Sequence, residues 1–341
     1  MSQLASHLRL RPAAVLLALG LALPATPAVA EPAGLPHHRV ATAHELPGDR
    51  VYPEGIAADQ RTGDLYVGSY TTGAVYRITP GQRTATVFLP AGTDGRDTAN
   101  GLKVDRAGRL WVTDSTAGVA VYDVRTRRLL ARFDVEDGEG ETEGAEQERP
   151  FFVNDLAIAP DGSAYLTDSI RAVIYRVTPD QLARGGRSVL RPYVDVGGDL
   201  DPRPVGTFTL NGIVADPAGR FLLAVDMTGG DLVRVDLRSR EVRRVALSGG
   251  DLVHGDGLEL RHGRLWAAHN ASQEISRWRL SYDGTRARQE RRVGDEALQI
   301  PTTLVRHRGR TLVVRSQFDK GGPMGPGTPE TPFTVAVVRG V

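Results

Sequence analysis

Apolar and polar residues alternate along this chain in short runs, and the runs recur as a repeat. Six segments open with an acid, an amide or, in the last, a threonine, followed by an apolar strand, a turn and a second apolar strand. They read PEGIAADQRTGDLYVGSY, ANGLKVDRAGRLWVTDS, VNDLAIAPDGSAYLTDS, LNGIVADPAGRFLLAVDM, GDGLELRHGRLWAAHN and PTTLVRHRGRTLVVRS. Their leading residues, Glu54, Asn100, Asn154, Asn211, Asp256 and Thr302, are spaced by 46, 54, 57, 45 and 46 positions. A period of that length is one four-stranded blade. The pattern predicts an all-β, six-bladed β-propeller.

Turn signals fall where an antiparallel meander needs them. In the first blade, Gly55 to Asp59, Asp64 to Tyr70, Ala74 to Thr79 and Thr84 to Leu89 read as successive strands, separated by Thr-Gly and Pro-Gly turns. Helix is confined to one expected turn near Asp180 to Arg184. The sixth blade supplies only three strands, Thr303 to His307, Thr311 to Ser316 and Phe333 to Arg339. The extended segment His38 to Leu46 is predicted to provide the fourth and close the ring, removing a sheet edge. Two excursions, Glu136 to Glu148 and Gln317 to Thr331, read as long loops over the mouth of the channel. The first holds seven acids and no base, and reads as a solvated loop.

The N-terminus follows another pattern. Arg9 and Arg11 precede an apolar run from Ala13 to Leu23, and Ala28-Val29-Ala30 gives the small-x-small cleavage pattern of a signal peptide. Eleven apolar residues are too few for a permanent span. Residues 1–30 are therefore expected to be removed, leaving a secreted, extracellular or periplasmic propeller over 31–341 with no membrane partner. Loss of the leader turns a formal charge of +1 into −1, which gives no reason to expect a nucleic-acid partner. The chain has no cysteine, excluding disulfides, thiolate catalysis and thiolate-bound metal.

If each blade runs from the channel outwards, the six leading residues converge on one mouth. Glu54, Asn154, Asn211 and Asp256 then form an all-oxygen set suited to a hard divalent cation, Ca²⁺ above all. The competing reading is that Asn-Gly and Asp-Gly are ordinary turn dipeptides. That reading does not explain Glu54 at the equivalent place. Asn100, Phe152 and His269 are candidate substrate-rim residues, with His254 a second histidine near the same face. Phe151 and Phe152 hint at an apolar substrate, buried packing being their commoner role. Asp114, Asp168 and Asp226 recur at the ends of second strands and read as partners for neighbouring loops. No GxSxG elbow, P-loop or HExxH occurs.

The segments PEG, VNDLAIAPDG, LNGIVADPAGRFLLAVDM and GDGLELRHGRLW resemble the senescence marker protein/gluconolactonase family, calcium-dependent six-bladed propellers that include regucalcin-like lactonases. The resemblance implies that Glu54, Asn211 and Asp256 bind a divalent metal, and that Asn154 lies at the metal or its substrate. Two departures stand out. Phe152 occupies the place of an arginine that sugar-lactonase members use for the polyol, and Ala159-Pro160-Asp161-Gly162 replaces their Asp-Pro-x-Gly. The leading expectation is a metal-dependent hydrolase of lactones or related esters, with Asp256 and Asn154 as its catalytic residues. The alternative is a non-catalytic extracellular propeller that binds a ligand or protein, with the metal pinning the blades; a lyase on the same frame is a third option.

Overall fold

The computed structural model describes residues 39–136 and 150–341. The leader and nearly all of the acidic excursion lie outside the described residues. The described chain forms six sheets, one for each sequence repeat, antiparallel apart from one added edge strand in each of two. The strands nearest the channel are Pro53–Ala58, Leu102–Val104, Val153–Ile158, Leu210–Ala215, Gly255–Arg261 and Leu304–His307. Each pairs with the strand that follows it, giving the expected order from the channel outwards.

Ring closure occurs as the three-stranded remnant of the last repeat requires. Val40–Leu46 pairs antiparallel with Phe333–Val338, from Val40 opposite Val338 to Leu46 opposite Phe333. Two blades carry a fifth strand: Gly186–Val189 runs parallel to Leu129–Asp134, and Ala246–Ser248 parallel to Arg286–Gly294. Neither addition is visible in a four-strand repeat. Both cover outer edges that would otherwise present unpaired main chain. The expected helical turn is Pro179–Arg184, whose Thr178 and Gln181 cap it reciprocally.

The alternation of the second strands has a direct cause. Side chains on opposite faces of a strand enter different interfaces, one with each neighbouring blade. Leu65 and Val67 pack between the sixth and first blades, whereas Tyr66 between them packs against the second. Likewise Leu265 and Ala267 face the fourth blade, and Trp266 and Ala268 the sixth. The hydrophobic core is thus six wedges of side chains between blades, with no single centre.

The closing strand is part of one wedge, because Leu46 and Phe333 are both fully buried there. Leu46→Ala is expected to cost about 3 kcal/mol in chemical denaturation. Deletion of residues 38–46 is expected to abolish the cooperative transition, whereas deletion of 31–35 leaves it intact. Equal unfolding curves for the two truncations would contradict closure by this strand.

Candidate functional site

In the blades led by Glu54, Asn154, Asn211 and Asp256, the pairing between the first two strands slips at that residue and its successor. The breaks fall between Pro53 and Ile56, Val153 and Leu156, Leu210 and Ile213, and Gly255 and Leu258. A bulge of this kind re-aims a side chain out of the regular pleat. All four side chains, with Asn100 beside them, are turned to one mouth of the channel and line a single cup.

The glycine after the leading residue has a steric origin. A Cβ on Gly55 would sit 1.9 Å from the carbonyl oxygen of Asn100, and one on Gly257 would sit 2.0 Å from Thr303 Oγ1. On Gly101 and Gly212, after Asn100 and Asn211, it would meet Asp155 Oδ1 at 2.5 Å and Asp256 O at 2.2 Å, and none of the four glycines adopts the left-handed conformation. The Asn-Gly and Asp-Gly pairs are therefore not turn dipeptides here, and that reading is set aside. They mark places where neighbouring inner strands nearly touch. Inter-blade hydrogen bonds hold the same region: Thr302 Oγ1 donates to Glu54 O at 2.8 Å, Thr113 Oγ1 to Asn154 O at 2.5 Å, and Thr167 Oγ1 to Asn211 O at 2.7 Å.

The amide side chains are oriented by what their nitrogens bind. Asn154 Nδ2 donates to Ser169 Oγ at 3.0 Å, and Asn211 Nδ2 points to Met227 Sδ at 3.4 Å. The Oδ1 atoms of Asn100, Asn154 and Asn211 are buried and have no hydrogen-bond partner. Orphaned buried acceptors are costly and uncommon. Three of them at one mouth, next to carboxylates, form a donor set that fits a hard cation. Among the described residues no three His, Asp or Glu side chains stand together as a preformed cage, so the fit rests on mixed amide and carboxylate oxygens.

Glu54, Asp256 and Asp155 are all buried. Burial pushes the Glu54 carboxyl well above its usual range, and Asp256 and Asp155 push it further. Burial likewise raises Asp256 to about 8, against the hydrogen bond that Asn270 Nδ2 donates to Asp256 Oδ2 at 2.8 Å. Asp155 is raised by burial, opposed chiefly by Lys103. Sequence reasoning missed Asp155, Lys103 and Asn270. Asp155 was detectable as the acid standing where Gly55, Gly101, Gly212 and Gly257 stand in other blades. Below the donors the channel narrows to a void of about 10 Å³ bordered by Lys103, Asp155 and Thr303, room for about one water. A ligand must arrive from the cup.

The cup encloses about 330 Å³. Phe152 lies on its wall, whereas Phe151 packs into the wedge between the second and third blades. His269 does not reach the rim. Its ring is fully buried, with Nδ1 against Val253 O at 2.8 Å and Nε2 against Ser276 Oγ at 2.7 Å, and burial lowers its pKa to about 4. The adjacent turn instead brings His254 to the cup, with φ of 58° and Nδ1 2.7 Å from Ser272 Oγ. Asp168 accepts from the main-chain N–H of Phe152, Ile170 and Arg171 and from Tyr175, the loop-bracing role read from its position.

Solved structures share the fold. The Malassezia sympodialis allergen Mala s 1 superposes with a TM-score of 0.60 at 15% identity, covering 88% of this chain and 95% of that one. A calcium-binding protein, regucalcin from Agrobacterium tumefaciens, gives 0.56 at 17% identity over 88% and 97% of the two chains. A catalytically inactive variant of virginiamycin B lyase from Staphylococcus aureus, solved with quinupristin, gives 0.54 at 11% identity over 89% and 99%. At these identities the likeness is one of fold. No curated protein matches the sequence. The family model described as the SMP-30/gluconolactonase/LRE-like region matches residues 52–291, from the strand that carries Glu54 through the sheet that carries Asp256, and the chain belongs to that family.

Proposed function

We propose that this protein is an exported, Ca²⁺-dependent hydrolase of lactones or related esters. The observation that carries the proposal is the set of three buried, unpartnered amide oxygens beside the Glu54 and Asp256 carboxylates, open to a cup on one side only. Family membership and the calcium-binding description of the regucalcin neighbour support the choice of cation and reaction. Glu54, Asn154, Asn211 and Asp256 are the residues that would hold the cation, with Asn100 at its edge. When bound, Ca²⁺ supplies charge that polarises an ester carbonyl and acidifies water.

The chain's own residues do the rest. Asp256, fixed by Asn270, takes the proton of the attacking water at its carboxylate and returns it to the leaving alkoxide, so that water is added across the C–O bond. Asn154, its nitrogen held by Ser169, keeps Oδ1 aimed at the mouth. The apolar cup excludes bulk water around the reacting carbonyl. His254, held by Ser272, is a second side chain at the cup.

Calorimetry on chelator-treated protein should show one tight Ca²⁺ site, and esterase or lactonase activity should vanish on chelation and return with Ca²⁺. Asp256→Asn and Asn211→Ala are expected to weaken Ca²⁺ binding at least tenfold and to abolish turnover while remaining folded. Asp168→Ala should keep the Ca²⁺ site but lose about 3 kcal/mol of stability, because four donors lose their acceptor. An Asp256→Asn protein that binds Ca²⁺ and turns over like the parent would overturn the assignment. Ca²⁺ binding without turnover of any lactone or ester would leave a binding propeller. Exported protein should begin at Glu31 on N-terminal sequencing.

The raised carboxyls also set a pH dependence. Asp256 loses its proton near 3.8 in the unfolded chain and near 8 in the folded, metal-free protein. Between those values the folded state binds more protons, so metal-free stability should fall as pH rises from about 4 to 8. Added Ca²⁺ should offset the fall, and Asp256→Asn should flatten it. Denaturation midpoints across this range, with and without Ca²⁺, would check the sign.

A further inference from the structure

We propose that the substrate of this cup is an apolar lactone or ester, carrying about one aromatic ring or a short alkyl chain, and not a polyhydroxylated sugar lactone. This rests on the hydrolase reading of the preceding section and specifies what that site accepts.

Two aromatic pairs stand on opposite sides of the mouth. Phe152 packs edge-on against Phe208, with ring centroids 4.9 Å apart, where the third and fourth blades meet. Tyr70 packs against Phe318 at 5.2 Å where the sixth and first blades meet. Met227, Pro323 and Met324 fill in the wall. Phe208 is 38% exposed and Met324 46% exposed, two of five large apolar side chains left open among the described residues, and both belong to this cup. Apolar surface gathered in one concave place marks a binding site more strongly than the same residues scattered.

The polar groups are as informative as the apolar ones. Above the carboxylate and amide floor, the Tyr70 hydroxyl and His254 Nε2 are the hydrogen-bonding groups of the lining left without a partner, His254 Nδ1 being taken by Ser272. Asn270 is already engaged with Asp256 and with the N–H of Ala271. No lysine, arginine, serine or threonine lines the cup. A sugar lactone would set several hydroxyls against phenyl and thioether groups without partners, a cost that an apolar ring avoids. The volume of about 330 Å³ lies at the small end of small-molecule sites, suited to a bicyclic or short-chain lactone.

The wall is held in place. Tyr52 Oη donates to Lys320 O at 3.0 Å, and the Gln317 side chain binds Glu330 through Nε2 to O at 2.9 Å and through Oε1 to N at 2.7 Å. Lys320 Nζ pairs with Glu330 at 2.6 Å. The Gln317 and Lys320 bonds close the excursion carrying Phe318, Pro323 and Met324 on itself, and Tyr52 together with Gln299, whose Nε2 donates to Glu330 Oε2 at 2.8 Å, straps it to the body of the propeller. The apolar shape is present before any ligand arrives.

The test uses the Ca²⁺-loaded mature protein with dihydrocoumarin, γ-nonalactone and glucono-δ-lactone. Binding of the corresponding lactams, which resist hydrolysis, is measured in parallel by calorimetry. The expected result is a kcat/KM for the two apolar lactones at least 100-fold above that for gluconolactone, with the same order of lactam affinity. Phe208→Ala, at a partly exposed position, should raise KM for the apolar lactones about tenfold with Ca²⁺ affinity unchanged. Phe152→Arg should shift preference towards gluconolactone. Gluconolactone turned over as well as the apolar lactones would overturn the inference and leave the hydrolase reading standing. No turnover of any lactone, with tight binding of the apolar lactams that Phe208→Ala weakens, would overturn the hydrolase reading and keep the apolar-ligand assignment. Failure of the apolar lactams to bind more tightly than the sugar lactam would overturn the assignment outright.

Discussion

The close approach of inner strands around the channel is the constraint on which the site depends. Where a Cβ on Gly55 would lie 1.9 Å from a neighbouring carbonyl oxygen, no larger residue fits without moving main chain. The bulge at the same place turns the preceding side chain to the mouth, and threonines of adjacent blades hold the carbonyl groups of Glu54, Asn154 and Asn211. The donor side chains are thus set by main-chain packing between blades. Their positions are as rigid as the six wedges of core that press the blades together.

That rigidity has an electrostatic consequence. Side chains fixed at a narrow mouth cannot relax away from one another, and burial denies them water. Glu54, Asp155 and Asp256 therefore compete for whatever positive charge is available, with Lys103 the cation that bears on Glu54 and Asp155. A proton satisfies one carboxylate at a time. A divalent cation satisfies several and also uses amide oxygens that a proton does not neutralise.

Repetition made much of this legible in the sequence. Six leading residues at blade-sized spacing predicted both the propeller and the mouth at which Glu54, Asn100, Asn154, Asn211 and Asp256 meet. The missing strand of the last repeat predicted the pairing of Val40–Leu46 with Phe333–Val338. What escaped either lay outside the four-strand repeat or departed from it, as Asp155 does where other blades have glycine. The added strands Gly186–Val189 and Ala246–Ser248 occur once each, and Asn270 acts through a contact with another strand that no local pattern encodes. His269 and His254 illustrate a finer limit. Both stand near the same turn, but one ring is drawn into a buried bond with Ser276 and the other is left at the cup by a left-handed backbone.

Floor and wall come from different kinds of chain. The floor is built from the bulged ends of strands, where a one-residue change alters packing in two blades at once. The wall is built from loops: the residues before the third and fourth blades, the turn after Ser69, and the excursion after Ser316. Loops tolerate substitution that strands do not. An arginine or a phenylalanine at position 152 leaves the cup floor in place and changes what rests on it. The wall also acts on the floor, since phenyl and thioether groups around charged oxygens keep the local dielectric low and strengthen every interaction with a cation or a developing oxyanion. The aromatic pairs that select an apolar substrate therefore also raise the electrostatic leverage of the oxygens beneath it.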